Sequence, residues 1–258
     1  MRAMMPYNSG MWLAEYLNRG CQLCGIYRSV PQSVLINSHR SLSAPSSGLK
    51  PALQRVARRF NQGLLCLECH HHIHWLPPTF QVDISAGSSL SVQAATYYAY
   101  PIRQAIRAFK HSEDMTKLPL LVHVLRQLPK PLGCHAQNSV IIAMPTTDSR
   151  LIKRGFDPVT ILSAYLSKHW QIPLWQGIER VDSAVSQQGL SRAERLSNLD
   201  AAFRLTHYPA VEHLLLFDDV ATTGASLQAL ARTLHLPRIS PNTYDIQAFA
   251  LAHGSASR

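Results

Sequence analysis

An α/β fold, with a parallel sheet covered by helices on both faces and a small cysteine-rich module ahead of it, is what this sequence predicts. Three observations carry that expectation. From residue 95 onward, short apolar runs alternate with segments of helical period. The apolar run at 214–217 leads straight into two acids and a small-residue turn, "LLLFDDVATTGAS". Upstream, four of the five cysteines stand in two C-x-x-C pairs.

The cysteine pairs come first in the chain. Cys21 and Cys24 ("CQLC") and Cys66 and Cys69 ("CLEC") form two knuckles of two thiolates each. Together they can close a tetrahedral Zn(II) site, so residues 1–85 are expected to form a zinc-ribbon-like module with structural zinc. A redox role is the weaker reading, because neither pair sits at a strand-to-helix turn. Between the knuckles, "SLSAPSSG" reads as loop and "LKPALQRVARRFNQG" as a short basic helix. His70, His71, His72 and His74 follow the second knuckle. They read as alternative ligands or as a solvent-facing run, and the second is favoured because four thiolates already fill zinc's usual shell. Cys134, far from the knuckles, reads as a small apolar side chain.

"DISAGSSLSV" (83–92) looks like a linker, and a second domain is expected over 90–251. "ATYYAY" reads as a strand. "PIRQAIRAFKH" is a helix, with Pro101 at its first position and Ile102, Ile106 and Phe109 on one face. "LPLLVHVLRQL" is a further amphipathic helix. "SVIIAMP" has the continuous apolar character of a buried parallel strand. Then come a helix ("PVTILSAYLSKHW"), a short strand ("IPLWQGI"), a strand ("HLLLFDD"), a helix ("GASLQALARTLHL") and a last strand ("TYDIQAFALAH"). In such sheets ligands bind beyond the carboxyl ends of the strands.

That rule places the chemistry. Asp218 and Asp219 end a central strand, and Thr222, Thr223, Gly224, Ala225 and Ser226 make the turn into the next helix. Helix starts present bare N–H groups to anions, and glycine allows close approach. The turn therefore suits a phosphate. The two carboxylates must face something else, namely sugar hydroxyls, a metal ion or both. A phosphate beside a diol describes a ribose 5-phosphate. The rival, a nucleotide hydrolase whose strand also ends in acids, requires G-x-x-x-x-G-K-[ST], which this chain lacks.

The formal charge of +10 is uneven. Residues 1–60 hold eight Lys/Arg, among them Arg55, Arg58 and Arg59, against Glu15 alone, whereas residues 181–258 hold six basic and seven acidic residues. Such asymmetry suggests an anionic partner for the N-terminal part, single-stranded DNA included; a solvated basic face is the bland alternative. No apolar run reaches the roughly 18 residues of a membrane span, and no targeting segment is visible, so a cytoplasmic protein is expected.

"LLLFDDVATTGAS" resembles the signature of type I phosphoribosyltransferases, which bind phosphoribosyl pyrophosphate (PRPP). With the knuckles, "RLIKRGFDP" and "SQQGLSRAERLSNLDAAF", the chain resembles the ComF/GntX family of competence-related proteins over residues 21 to 251. The resemblance implies a type I phosphoribosyltransferase-like sheet that binds PRPP with Mg(II). Asp218 and Asp219 would hold the ribose hydroxyls, and 222–226 the 5-phosphate. The loop after the "IIAMP" strand, from Pro145 to Arg150, would face pyrophosphate, with Lys153 and Arg154 nearby. Residues 183–198 would close over the site, with Gln187, Leu190, Arg195 and Asn198 at recognisable positions. The resemblance further implies a role in competence, with single-stranded DNA and DNA-uptake proteins as partners. The alternative is an active phosphoribosyltransferase, a transferase passing ribose 5-phosphate to an unidentified base or amine. A glutamine-dependent amidophosphoribosyltransferase is not expected, since the first cysteine, Cys21, belongs to a knuckle.

Overall fold

The computed structural model describes residues 20–30, 63–85, 88–181, 202–235 and 244–254. Seven strands are β1 (Phe80–Ser85), β2 (Ser88–Tyr97), β3 (Ser139–Ala143), β4 (Ile178–Arg180), β5 (Phe203–Leu205), β6 (His213–Ala221) and β7 (Asp245–His253). The helices are α1 (Leu67–His71), α2 (Ile102–His111), α3 (Leu118–Leu125), α4 (Asp148–Arg154), α5 (Pro158–Trp170) and α6 (Ala225–His235). Five strands form one sheet in the order β1-β2-β7-β6-β3; β2, β7, β6 and β3 run parallel, and the edge strand β1 is antiparallel to β2. The α/β expectation is met.

Residue choice explains the central strands. β3 and β6 are apolar runs with Ile141, Ile142 and Leu214 to Phe217 buried, as strands covered on both faces require. Alternate residues of β7 face opposite ways. Phe249 packs edge-on against Trp170 of α5, ring centroids 5.0 Å apart. α6 lies against the other face, where Arg232 donates to the Ile84 carbonyl at 2.7 Å.

Local chemistry sets the helix ends. Asp157 caps α5 by accepting from Val159 N–H at 3.0 Å, Pro158 follows at the first turn, and Gln171 closes the helix at φ 57°. Thr147 caps α4 through Arg150 N–H, and Gly155 ends it at φ 70°, a conformation glycine adopts without cost.

Four expectations change. The linker-like 83–92 stretch belongs to the β1–β2 hairpin: Leu90 and Val92 are buried while Ser89 is exposed, a period-2 pattern hidden by serine-rich composition. From "LPLLVHVLRQL" the helix spans Leu118–Leu125 and is buried at every residue but the half-buried Pro119, rather than amphipathic. From "IPLWQGI", Leu174 makes a single parallel bridge to Ile141 of β3 and Ile178 opens β4, which pairs with β5 in a separate antiparallel ribbon. Residues 148–150, expected in a loop, open α4. No described helix is long and apolar enough to cross a membrane.

Candidate functional site

Two sites take shape, one built from thiols and one from the strand ends. Around the first knuckle, Gly25 N–H donates to Cys21 O and Cys21 N–H to Tyr27 O, both at 2.9 Å, folding the loop tightly. In the second, the Cys66 thiol caps α1 by accepting from Cys69 N–H at 3.4 Å. The four Sγ atoms lie within 4.8 Å of one another, with Cys24 and Cys66 3.9 Å apart. A zinc ion with Zn–S near 2.3 Å spaces its tetrahedral sulfurs by about 3.8 Å, so the four thiols could hold a metal ion such as zinc. The backbone N–H groups of Tyr27 and Ile26 lower the Cys24 pKa to about 6, favouring the thiolate a metal needs, while burial pushes Cys66 and Cys69 up.

The histidine tract divides. His71, His72 and His74 are exposed, but His70 is buried beside Trp75, ring centroids 5.0 Å apart, with Trp75 Nε1 donating to His70 O at 2.9 Å. A uniformly solvent-facing run is therefore corrected at its first member. Among the described residues none of the four joins the thiol group.

The second site is a cavity of about 460 Å³ at the carboxyl ends of β3 and β6. Asp218, Asp219, Thr222 and Ser226 at and after the end of β6, Pro145 and Thr146 after β3, Arg150 and Arg154 of α4, Arg180 of β4 and Lys110 of α2 all line it. A smaller hollow opens beside Asp218 and is lined by 222–226. Gly224 has φ 76°, and a Cβ there would sit 2.7 Å from the Val82 side chain, so this turn needs glycine. Gly254 N–H and His253 Nδ1 donate to Ala221 O at 2.9 and 3.0 Å, bracing the end of β6 against β7.

Three carboxylates line the cavity, and two are already engaged. Asp157 accepts from Val159 N–H and from Thr160 Oγ1 at 2.6 Å. Asp219 is buried and pairs with Lys110 Nζ at 2.6 Å. Asp218 is half-buried and accepts the neighbouring Asp219 N–H at 2.8 Å. Burial, then the adjacent Asp219 charge, push the Asp218 carboxyl up to about 7.

No family model matches the chain. Competence protein F of Haemophilus influenzae is 30% identical over 165 residues, which cover 60% of this chain and 69% of that protein. The chain belongs to the ComF family. DNA utilization protein YhgH of Salmonella typhi is 35% identical over 96 residues, and that of Escherichia coli K12 is 32% identical over 96; each match covers 36% of this chain and 42% of the relative. The similarity thus spans less than half the length of these YhgH proteins.

On this ComF-family chain the expected residues fall as follows. Asp218, Asp219, Thr222, Ser226, Pro145, Arg150 and Arg154 line the cavity; Thr223, Gly224 and Ala225 line its side hollow. Lys153 is exposed and is not among the lining residues. Gln187, Leu190, Arg195 and Asn198 lie outside the described residues, as do Arg55, Arg58 and Arg59. Sequence reasoning missed Lys110, Asp157 and Arg180. Asp157 before Pro158 carried a helix-cap signal, whereas Lys110 and Arg180 reach the cavity only through tertiary packing.

Proposed function

We propose that the cavity binds PRPP with Mg(II), and that the protein serves DNA uptake or processing, as the names of its competence and DNA-utilization relatives suggest. One observation carries the ligand reading: a single cavity is lined by a carboxylate, by residues of the glycine turn at the start of a helix and by guanidinium groups. The 5-phosphate docks on the N–H groups of 222–226 at the start of α6. Asp218 accepts from the ribose hydroxyls. Arg150 and Arg154 take the pyrophosphate, which suits the planar fork of arginine. Mg(II) fits with one or two carboxylates plus substrate phosphates, so Asp218 and the diphosphate would hold it between them, and it would neutralise the diphosphate charge. Cys21, Cys24, Cys66 and Cys69 would hold structural Zn(II). The basic N-terminal part would bind single-stranded DNA.

A second reading, transfer, is favoured by Arg180, a cation reaching the cavity from β4, just ahead of 182–201. In that reaction the anomeric C–O bond to pyrophosphate breaks and pyrophosphate leaves with the electron pair. An acceptor nitrogen bonds to the anomeric carbon and gives up its proton. Arg150, Arg154 and Arg180 would stabilise charge on the departing group.

Calorimetry with PRPP and Mg(II) tests binding. Saturable heat lost in Asp218→Asn is the expected result; no heat with wild-type protein overturns it. Pyrophosphate release with a panel of bases separates transfer from binding alone.

A further inference from the structure

We propose that Lys110 is a positioning residue that serves as the built-in counter-ion of Asp219, so that a sugar ligand meets one carboxylate, Asp218, rather than two. This rests on the PRPP reading above and deepens it.

The geometry begins with strand alternation. Successive residues of β6 point to opposite faces of the sheet, so Asp218 and Asp219 approach the cavity at the strand's carboxyl end from opposite sides of β6. Asp218 shares the register of Ala250, while Phe217, two residues before Asp219, shares that of Phe249, on the face packed by α5. Asp219 is on this second face, 4% exposed, with Lys110 Nζ 2.6 Å from Oδ2.

Lys110 is held firmly. Ile102, Ala105, Ile106 and Phe109 bury one side of α2, and Phe109 packs against Phe156 at 5.4 Å, just beyond the helix that carries Arg150 and Arg154. The ammonium is thus delivered by a helix packed beside the segment that brings Arg150 and Arg154 to the same cavity. Asp219 is the buried member and the Lys110 side chain is partly exposed, so removing the lysine strands a buried carboxylate, which is destabilising, whereas replacing both with neutral groups is tolerated.

Two consequences follow. Asp219 acts on the ligand only by fixing its wall, and Asp218 makes the contact. Lys110 also holds the cation position of Asp219, so a divalent ion comes in with the diphosphate instead of binding the adjacent acids beforehand.

The test compares Lys110→Met, Asp219→Asn, the double variant and Asp218→Asn in the full chain. Thermal melting reports folding, and calorimetry reports PRPP·Mg(II) and, separately, Mn(II) alone. Expected are a PRPP affinity for the double variant within about fivefold of wild type, a loss of about tenfold or more in Lys110→Met, and loss of binding in Asp218→Asn. Lys110→Met is also expected to gain Mn(II) binding that wild type lacks, and Lys110→Arg to restore wild-type behaviour. A folded double variant that loses PRPP as fully as Asp218→Asn overturns the proposal, since Asp219 would then hold the ligand itself. If wild type binds no PRPP, the ligand reading fails. The Mn(II) comparison still judges Lys110: equal Mn(II) binding by wild type and Lys110→Met, or by wild type and the double variant should the single variant not fold, refutes it.

Discussion

The thiol cluster and the strand-end cavity treat burial in opposite ways. Among the described residues around the cysteines, Leu64, Leu65 and Ile73 are buried with Cys21 and Cys66, where the thiols themselves are part of the apolar core, so a bound metal would act as a cross-link that organises the segment. At the cavity the scaffold is a packed sheet, with Leu214 to Phe217 at or below 1% exposure. Its chemistry stands on the last residues of strands that would fold without it. In the first region ligand groups and fold are inseparable; in the second they can be changed one at a time.

Breaking the thiol set should have the largest effect. Cys66→Ser removes both a thiol of the cluster and the α1 cap, and would forfeit metal-linked folding free energy on the order of 10 kcal/mol. One zinc per wild-type chain by mass spectrometry, loss of it in the variant, and hydrogen exchange opening 20–30 and 63–75 but not β6 and β7 are expected.

Next is the seam between the regions. His123 on α3 is fully buried and meets Trp75 edge-on at 6.0 Å. Burial, with His70 and Arg126 nearby, lowers its pKa to about 3. The unfolded chain takes up a proton below about 6.5 and the folded one does not, so this group's contribution to stability falls as pH drops from 6.5 towards 3. His123→Leu should remove about 3 kcal/mol of that loss by pH 4, seen as a shallower decline in denaturation midpoints.

Asp218→Asn should separate function from stability. PRPP affinity is expected to fall about a hundredfold, near 2.7 kcal/mol. The folded state holds the Asp218 proton up to about 7 against an ordinary 3.8. Its contribution is therefore present below 3.8 and lost as pH rises through 7, so the ligand-free asparagine variant should be more stable than wild type at pH 8, by about 1 kcal/mol. A less stable variant at that pH would contradict this account.

The smallest effect belongs to Glu179, which meets Arg204 at 2.7 Å across β4 and β5 with both side chains more than half exposed. Glu179→Gln should change stability by less than about 0.5 kcal/mol and leave PRPP binding unaltered.

Much of both regions was legible from residue types. The two C-x-x-C pairs announced the thiol cluster because metal ligation demands that spacing. "LLLFDDVATTGAS" announced the strand end and the turn because burial, charge and glycine are each confined to few backbone settings. The β1–β2 hairpin was hidden by "SAGSS", although Leu90, Val92 and Ala94 alternate as a strand must. His70 looked like its exposed neighbours because sequence gives no sign of which side of a five-residue helix turns inward.

The sequence by itself determined the thiol set, the central apolar strands and the glycine turn that follows β6, because these depend on backbone preferences and neighbouring residues. Only the tertiary structure decided that Lys110 neutralises Asp219, that Arg180 joins Arg150 and Arg154, and that Asp218 stands as the available carboxylate. Those relations bring together α2, α4, β4 and β6, and charges couple according to distance in space rather than separation along the chain.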